Sequence, residues 1–174
     1  MPLIPSDEPD WALLARTENL LILVTHPGEE ETRCGALIAA ACRQARVPVL
    51  AVLTDGSGPD GDAARAERRA AETRASAQRL GMQDHRVFLL GLVEGTAPKA
   101  GTPLAAKLIE ALIFLMWSRD CGVIVAPAGD PGDAGAAWSA AEAVARITGV
   151  RVLCHPRDSG VSGNSDSPIG GFPA

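Results

Sequence analysis

The sequence predicts an α/β fold: a three-layer α/β/α sandwich built on a mainly parallel sheet. Two features carry that prediction. Short apolar runs alternate with longer segments of helical pattern along the whole chain, the order expected of successive βαβ units. The apolar runs are also continuous rather than alternating, as in "LLILV" and "GVIVA", which suits strands buried on both faces by helices.

The elements follow in order. "LLILVTH" (20–26) reads as the first strand, and a helix from about Glu30 to Ala45 follows it. "VPVLAVLT" (47–54) is the second strand, and "DGSGPDGD" is a loop by its Gly, Asp and Pro content. A long helix runs from Ala63 to Leu80, with Gly81 in the C′ position that ends helices. "RVFLLG" (86–91) gives the third strand and Leu92 to Gly101 a loop. Thr102 then caps a helix that begins at Pro103 and reaches Trp117. "GVIVAPA" (122–128) is the fourth strand, a helix spans about Ala136 to Ile147, and "RVLCH" (151–155) closes the sheet. Residues 1–157 thus make one domain. The stretch 158–174, rich in Gly, Ser and Pro, reads as a flexible tail.

Composition narrows the function. The chain has 174 residues, 47% hydrophobic, with aromatics at only 3% and no tyrosine, so small side chains dominate. A net charge of −5 and a pI near 5.2 exclude a nucleic-acid or anionic-membrane surface, which needs clustered Lys and Arg. The basic stretch Arg65 to Arg79 is interleaved with Glu67 and Glu72 and reads as a solvated helix face. Cys34, Cys42, Cys121 and Cys154 lack zinc-type spacing and read as buried free thiols of a cytoplasmic protein. The N-terminal "MPLIPSDEPD" has no apolar core of a signal peptide, and Leu108 to Trp117 is too short to span a membrane.

In open parallel sheets ligands bind beyond the carboxyl ends of the strands. Those ends carry His26, Thr54-Asp55, Gly91 to Gly95, Gly129 to Gly135, and His155 with Pro156. A dinucleotide site does not fit, because GxGxxG is absent and Glu29, Glu30 and Glu31 at the first helix start would repel a pyrophosphate.

The loop motifs, in order, resemble those of the LmbE/PIG-L family of zinc-dependent N-deacetylases. "THPGEEETRCG" (25–35) stands where that family has an AHPDDE-type loop and a glycine-led helix. Thr54, Asp55 and Gly56 match its TDG turn; Arg69, Glu72, Leu80 and Gly81 match the spacing of the next helix; "LGLVEG" (90–95) matches its LGLxDG segment. The resemblance covers residues 19 to about 157 and implies a Rossmann-like sheet. It also implies a zinc ion that activates water against an acetamide on an amino sugar or a similar small molecule.

Carried over position by position, the resemblance places His26 and Glu29 as metal ligands and Asp55, Arg69 and Glu94 as substrate-binding residues. It also exposes two departures. Gly28 falls at the general-base position, where a proton-carrying group is worth on the order of 10²–10⁴ in rate. The late Asp-His pair should fall within "GDPGDAGAAW", where Ala134 or Gly135 takes the histidine position; Asp130 and Asp133 are the nearby oxygen donors. His155 is a further ligand candidate at the correct sheet edge, whereas His85 belongs at the opposite one.

Each candidate has a plainer reading. His26 is also a strand-end histidine, the glutamates a charge-stabilised helix start, Asp55 an Asx turn, Arg69 and Glu72 a surface ion pair, and Asp130 and Asp133 turn and N-cap residues.

The expectation is a family member with an incomplete zinc site and weak or no hydrolysis, keeping a pocket for a small hydroxyl-rich or amino-sugar-like ligand. Two alternatives stand beside it. One is an active deacetylase rebuilt on His26, Glu29 and Asp130 or Asp133, with Glu30 as base. The other is a non-catalytic subunit that self-associates through the Leu104 to Trp117 helix.

Overall fold

The computed structural model describes residues 9–128 and 132–156. Five parallel strands make one sheet in the order β3-β2-β1-β4-β5. They are β1 (Leu20–Val24), β2 (Val49–Thr54), β3 (Val87–Leu92), β4 (Val123–Ala126) and β5 (Arg151–Cys154). The three central strands are wholly buried, as their continuous apolar composition requires.

Alternate residues of each strand feed two cores. Leu20, Ile22, Val24, Leu50, Val52, Val123 and Val125 face the layer of α1 (Trp11–Thr17), α2 (Glu29–Thr32), α3 (Gly35–Arg43) and α4 (Ala63–Arg79). Leu21, Leu23, Ala51, Leu53, Ile124 and Ala126 face α5 (Pro103–Ser118) and α6 (Asp133–Thr148). The three-layer α/β/α sandwich is therefore the observed architecture. No helix among the described residues is long and apolar enough to cross a membrane.

Three details differ from the sequence-based expectation. Helix α1 precedes β1, capped by Asp10, whose Oδ1 accepts from the Leu13 amide at 2.9 Å. The single helix expected after β1 is two, α2 and α3, broken at Arg33 and Cys34. Thr32 closes the short α2 by turning its hydroxyl back to the Gly28 carbonyl, a side-chain bond that competes with continued helix. The cysteines are all free, but Cys154 is exposed, because β5 is an edge strand, and Cys42 is only half-buried. Burial pushes the Cys34 thiol up to about 12 and that of Cys121 up to about 11.

The other expected strands and helices are observed to within a few residues. Thr102 caps α5, with its hydroxyl accepting from the Ala105 amide at 3.2 Å. Arginines of α4 make ion pairs at the helix surface, Arg65 with Asp60, Arg69 with Glu72, Arg74 with Asp84 and Arg79 with Glu31. The segment 158–174, called a flexible tail on composition, lies outside the described residues.

Candidate functional site

The strand order reverses at β1, between β2 on one side and β4 on the other, so the loops that leave β1 and β4 flank the switch point where open sheets bind ligands. His26 follows β1, and Asp133 opens α6 beyond β4. Asp55 and Glu94 follow β2 and β3, and His155 follows β5. His85 sits in a short 3-10 turn before β3, at the other edge, as expected.

Glu29 organises the loop after β1. Its Oε2 accepts from the Thr25 amide at 2.8 Å and the His26 amide at 3.3 Å. The chain then turns through Gly28 at φ +100°, a left-handed conformation that a side chain opposes. No heavy atom of the described residues lies within 4 Å of where a Gly28 Cβ would stand, so the turn itself favours glycine here. The Gly28 amide donates to Glu30 Oε2 at 2.7 Å. Glu30 is buried, and burial raises its pKa despite the hydrogen bond from the Gly28 amide. Its carboxyl is thus enclosed under the loop, and Glu31 ties α2 to Ser76 and Arg79 of α4.

His26 meets its neighbour strand directly. Nδ1 lies 2.8 Å from the Thr54 hydroxyl, which in turn donates to the Thr25 carbonyl at 2.8 Å. Thr54 is 2% exposed. The sequence placed Thr54 in the TDG turn without a role. The only signal was a threonine ending each of two adjacent apolar runs, at Thr25 and Thr54.

The TDG segment forms an Asx turn, with Asp55 Oδ1 accepting from the Ser57 amide at 2.9 Å. Burial would raise the Asp55 pKa, but the donors of the turn around it, the Ser57 amide among them, outweigh it and hold the carboxyl below its ordinary range. Gly56 is required by close approach as well as by φ +68°. A Cβ there would stand 3.1 Å from Arg69 Cγ on one side and 3.1 Å from Pro27 Cγ on the other. The Arg69 stem therefore lies over the turn, while its head pairs with Glu72 at 3.3 Å in solvent. Beside the turn lies a cavity of about 240 Å³, lined by Pro27, Thr54, Asp55, Ala66, Leu89 and Gly91 among others.

Two more carboxylates bind loop backbone. Glu94 Oε2 accepts from the Gly58 amide at 3.0 Å, joining the loops after β3 and β2. Asp133 takes the Gly95 amide on Oδ2 at 2.6 Å and the Ala97 amide on Oδ1 at 3.0 Å. It is the first residue of α6, with Gly132 at the cap position, and it joins that helix to the loop after β3. Asp130 lies outside the described residues.

His155 is 7% exposed. It donates from Nε2 to the Leu23 carbonyl at 2.6 Å, and its Nδ1 has no partner among the described residues.

A family comparison matches residues 21–134 to the PIG-L family, described as GlcNAc-PI de-N-acetylase. The chain belongs to the PIG-L family. A comparison with curated proteins found no match. Among solved structures, the chain resembles the conserved protein TT1542 from Thermus thermophilus, with TM-score 0.63 and 23% identity over 82% of this chain and 68% of that one. It also resembles the N,N'-diacetylchitobiose deacetylase of Pyrococcus horikoshii, with TM-score 0.62 and 17% identity over 75% of this chain and 50% of that one. A third likeness is to GalB, the 4-carboxy-2-hydroxymuconate hydratase of Pseudomonas putida KT2440, with TM-score 0.57 and 18% identity over 75% of this chain and 57% of that one. At these identities the likeness is one of fold, and the chain spans half to two-thirds of each neighbour's length.

PIG-L proteins are generally metal-dependent, and the donors among the described residues, which leave out Asp130, are for the most part engaged with backbone. His26 offers Nε2, Glu29 has one oxygen engaged with two backbone amides, and both oxygens of Asp133 serve the 95–97 loop. Among the described residues no three His, Cys, Asp or Glu side chains come together as metal donors.

His155 gives a testable pH dependence. Burial is the main cause that lowers its pKa from the ordinary 6.5; the Leu23 carbonyl and Glu29 act in the opposite direction and Arg33 adds to the lowering. The unfolded chain therefore binds the proton first, so this contribution to stability is present above about pH 6.5 and is lost as the pH falls through the lowered value. Urea unfolding of His155→Gln, which keeps a donor for Leu23 without titrating, should show a flatter loss of stability with acid than the parent protein.

Proposed function

We propose that this chain is a PIG-L-family protein that binds a small hydroxyl-rich or amino-sugar-like ligand at the carboxyl ends of β1 and β2 and hydrolyses its acetamide weakly or not at all. The observation that carries the reading is Gly28. The position that corresponds to the family's general base has no side chain, and it sits at the entrance of a loop whose neighbouring carboxylates are engaged. Glu30, the adjacent alternative base, is buried with its carboxyl on the Gly28 amide. Asp133, the nearest described oxygen donor for the missing third ligand, is held by two backbone amides.

A binding role is supported by what remains. Asp55 stays ionised over a wide pH range, His26 keeps an unpartnered Nε2 among the described residues, and a cavity of about 240 Å³ adjoins the Thr54-Asp55 turn. All of these are acceptors or apolar surface, which suits a ligand that brings hydroxyl or ammonium donors. The four free cysteines support a reducing compartment, the cytoplasm.

Calorimetry with glucosamine and N-acetylglucosamine, together with acetate measurement, tests the reading. Binding that weakens in Asp55→Asn and His26→Ala, with acetate release no faster than in the His26→Ala control, is expected. Zinc-stimulated acetate release by the parent protein would support the rebuilt deacetylase instead.

A second reading has one observation in its favour. Phe114 and Trp117 on α5 are 68% and 73% exposed, one helical turn apart, while Leu108, Leu112, Leu115 and Met116 of the same helix fill the core. Self-association through that face predicts a concentration-dependent sedimentation coefficient that Trp117→Ser abolishes. A monomer at micromolar concentration would count against it.

A further inference from the structure

We infer that Thr54 is the positioning residue of this site: its hydroxyl fixes the tautomer of His26, leaving Nε2 as a bare acceptor for the ligand. The argument begins with the hydroxyl's single proton. Thr54 Oγ1 donates to the Thr25 carbonyl at 2.8 Å, so its 2.8 Å contact with His26 Nδ1 requires the proton to be on Nδ1. A neutral imidazole with Nδ1 protonated has its lone pair on Nε2.

The arrangement is preorganised. The Thr54 amide also donates to the Thr25 carbonyl, at 3.0 Å, which fixes the backbone of the two strand ends against each other. Thr54 is β-branched and 2% exposed, so its side chain has little freedom to turn away. From the other side, Glu29 holds the His26 amide. The backbone and one ring nitrogen of His26 are both fixed, and the ring itself is half-exposed with no partner for Nε2 among the described residues.

Free histidine in water favours the opposite tautomer, with the proton on Nε2. A ring left to itself would therefore present a donor at that atom. Thr54 inverts this and makes the site uniformly accepting, in keeping with the ionised Asp55 on the next turn. The ligand class that follows is one with a hydroxyl or ammonium proton to give. This rests on the ligand-binding reading above, but the tautomer itself does not.

Nitrogen-15 spectra of the imidazole rings in the metal-free protein near neutral pH test the inference. His26 should show the pattern of a protonated Nδ1 and a bare Nε2 in the parent and in Thr54→Ser, and a shift towards protonated Nε2 in Thr54→Val. Glucosamine, as probe, should bind about tenfold more weakly to Thr54→Val, the loss of roughly one hydrogen bond, and normally to Thr54→Ser. A parent protein with the proton on Nε2, or a Thr54→Val variant with an unchanged pattern, overturns the inference. The expected spectra without any glucosamine binding would uphold Thr54's role and defeat the ligand reading alone.

Discussion

The carboxylate of Glu29 is the interaction on which the site depends. It gathers the Thr25 and His26 amides at the end of β1, where the strand ladder stops and those donors would otherwise lack partners. A charged acceptor makes such bonds roughly twice as strong as neutral ones. With the loop fixed, Gly28 can turn at positive φ, α2 can start at Glu29, and His26 can lie against Thr54. The same carboxylate is thereby engaged with the protein's own backbone, on at least one of its oxygens.

That pattern repeats along the carboxyl edge of the sheet. Glu94 holds the Gly58 amide, and Asp133 holds those of Gly95 and Ala97. Loops that would have to order themselves around a ligand are instead tied to one another by acidic side chains. An acid so placed has an architectural duty first, and any chemistry must come from what is left. Among the described residues what is left is one imidazole nitrogen, the Asp55 carboxylate and a cavity beside the TDG turn. An enclosed Glu30 supports the loop from below, its charge disfavoured by burial.

Most of the fold was legible in the sequence, because burial on both sheet faces leaves continuous apolar runs and α5 is framed by Thr102 and Pro103. The short α1 was not, since seven residues give too little period to recognise. The break between α2 and α3 was missed because it depends on Thr32 bonding to Gly28, a local choice that helix propensity does not reveal. Cys154 was expected inside with the other free thiols, but strand order, which the cysteine spacing does not reveal, puts its strand at the edge. For the site, the edge of the sheet and the place of His26 could be read from strand ends. The duties of Glu29, Glu94 and Asp133 could not, because amide capture across loops is fixed by three-dimensional register. Thr54 was hidden for the same reason, its partner being on the neighbouring strand.

The most direct measurement is urea unfolding of the parent and of Glu29→Ala across a range of zinc concentrations. If Glu29 is chiefly the clasp of the β1 loop, the variant should lose about 1–3 kcal/mol, the cost of buried amides left without an acceptor, and zinc should move neither midpoint. A parent midpoint that climbs with zinc, and a variant in which that climb vanishes, would mean that Glu29 is a metal ligand first and that the metal site of the family survives in this chain.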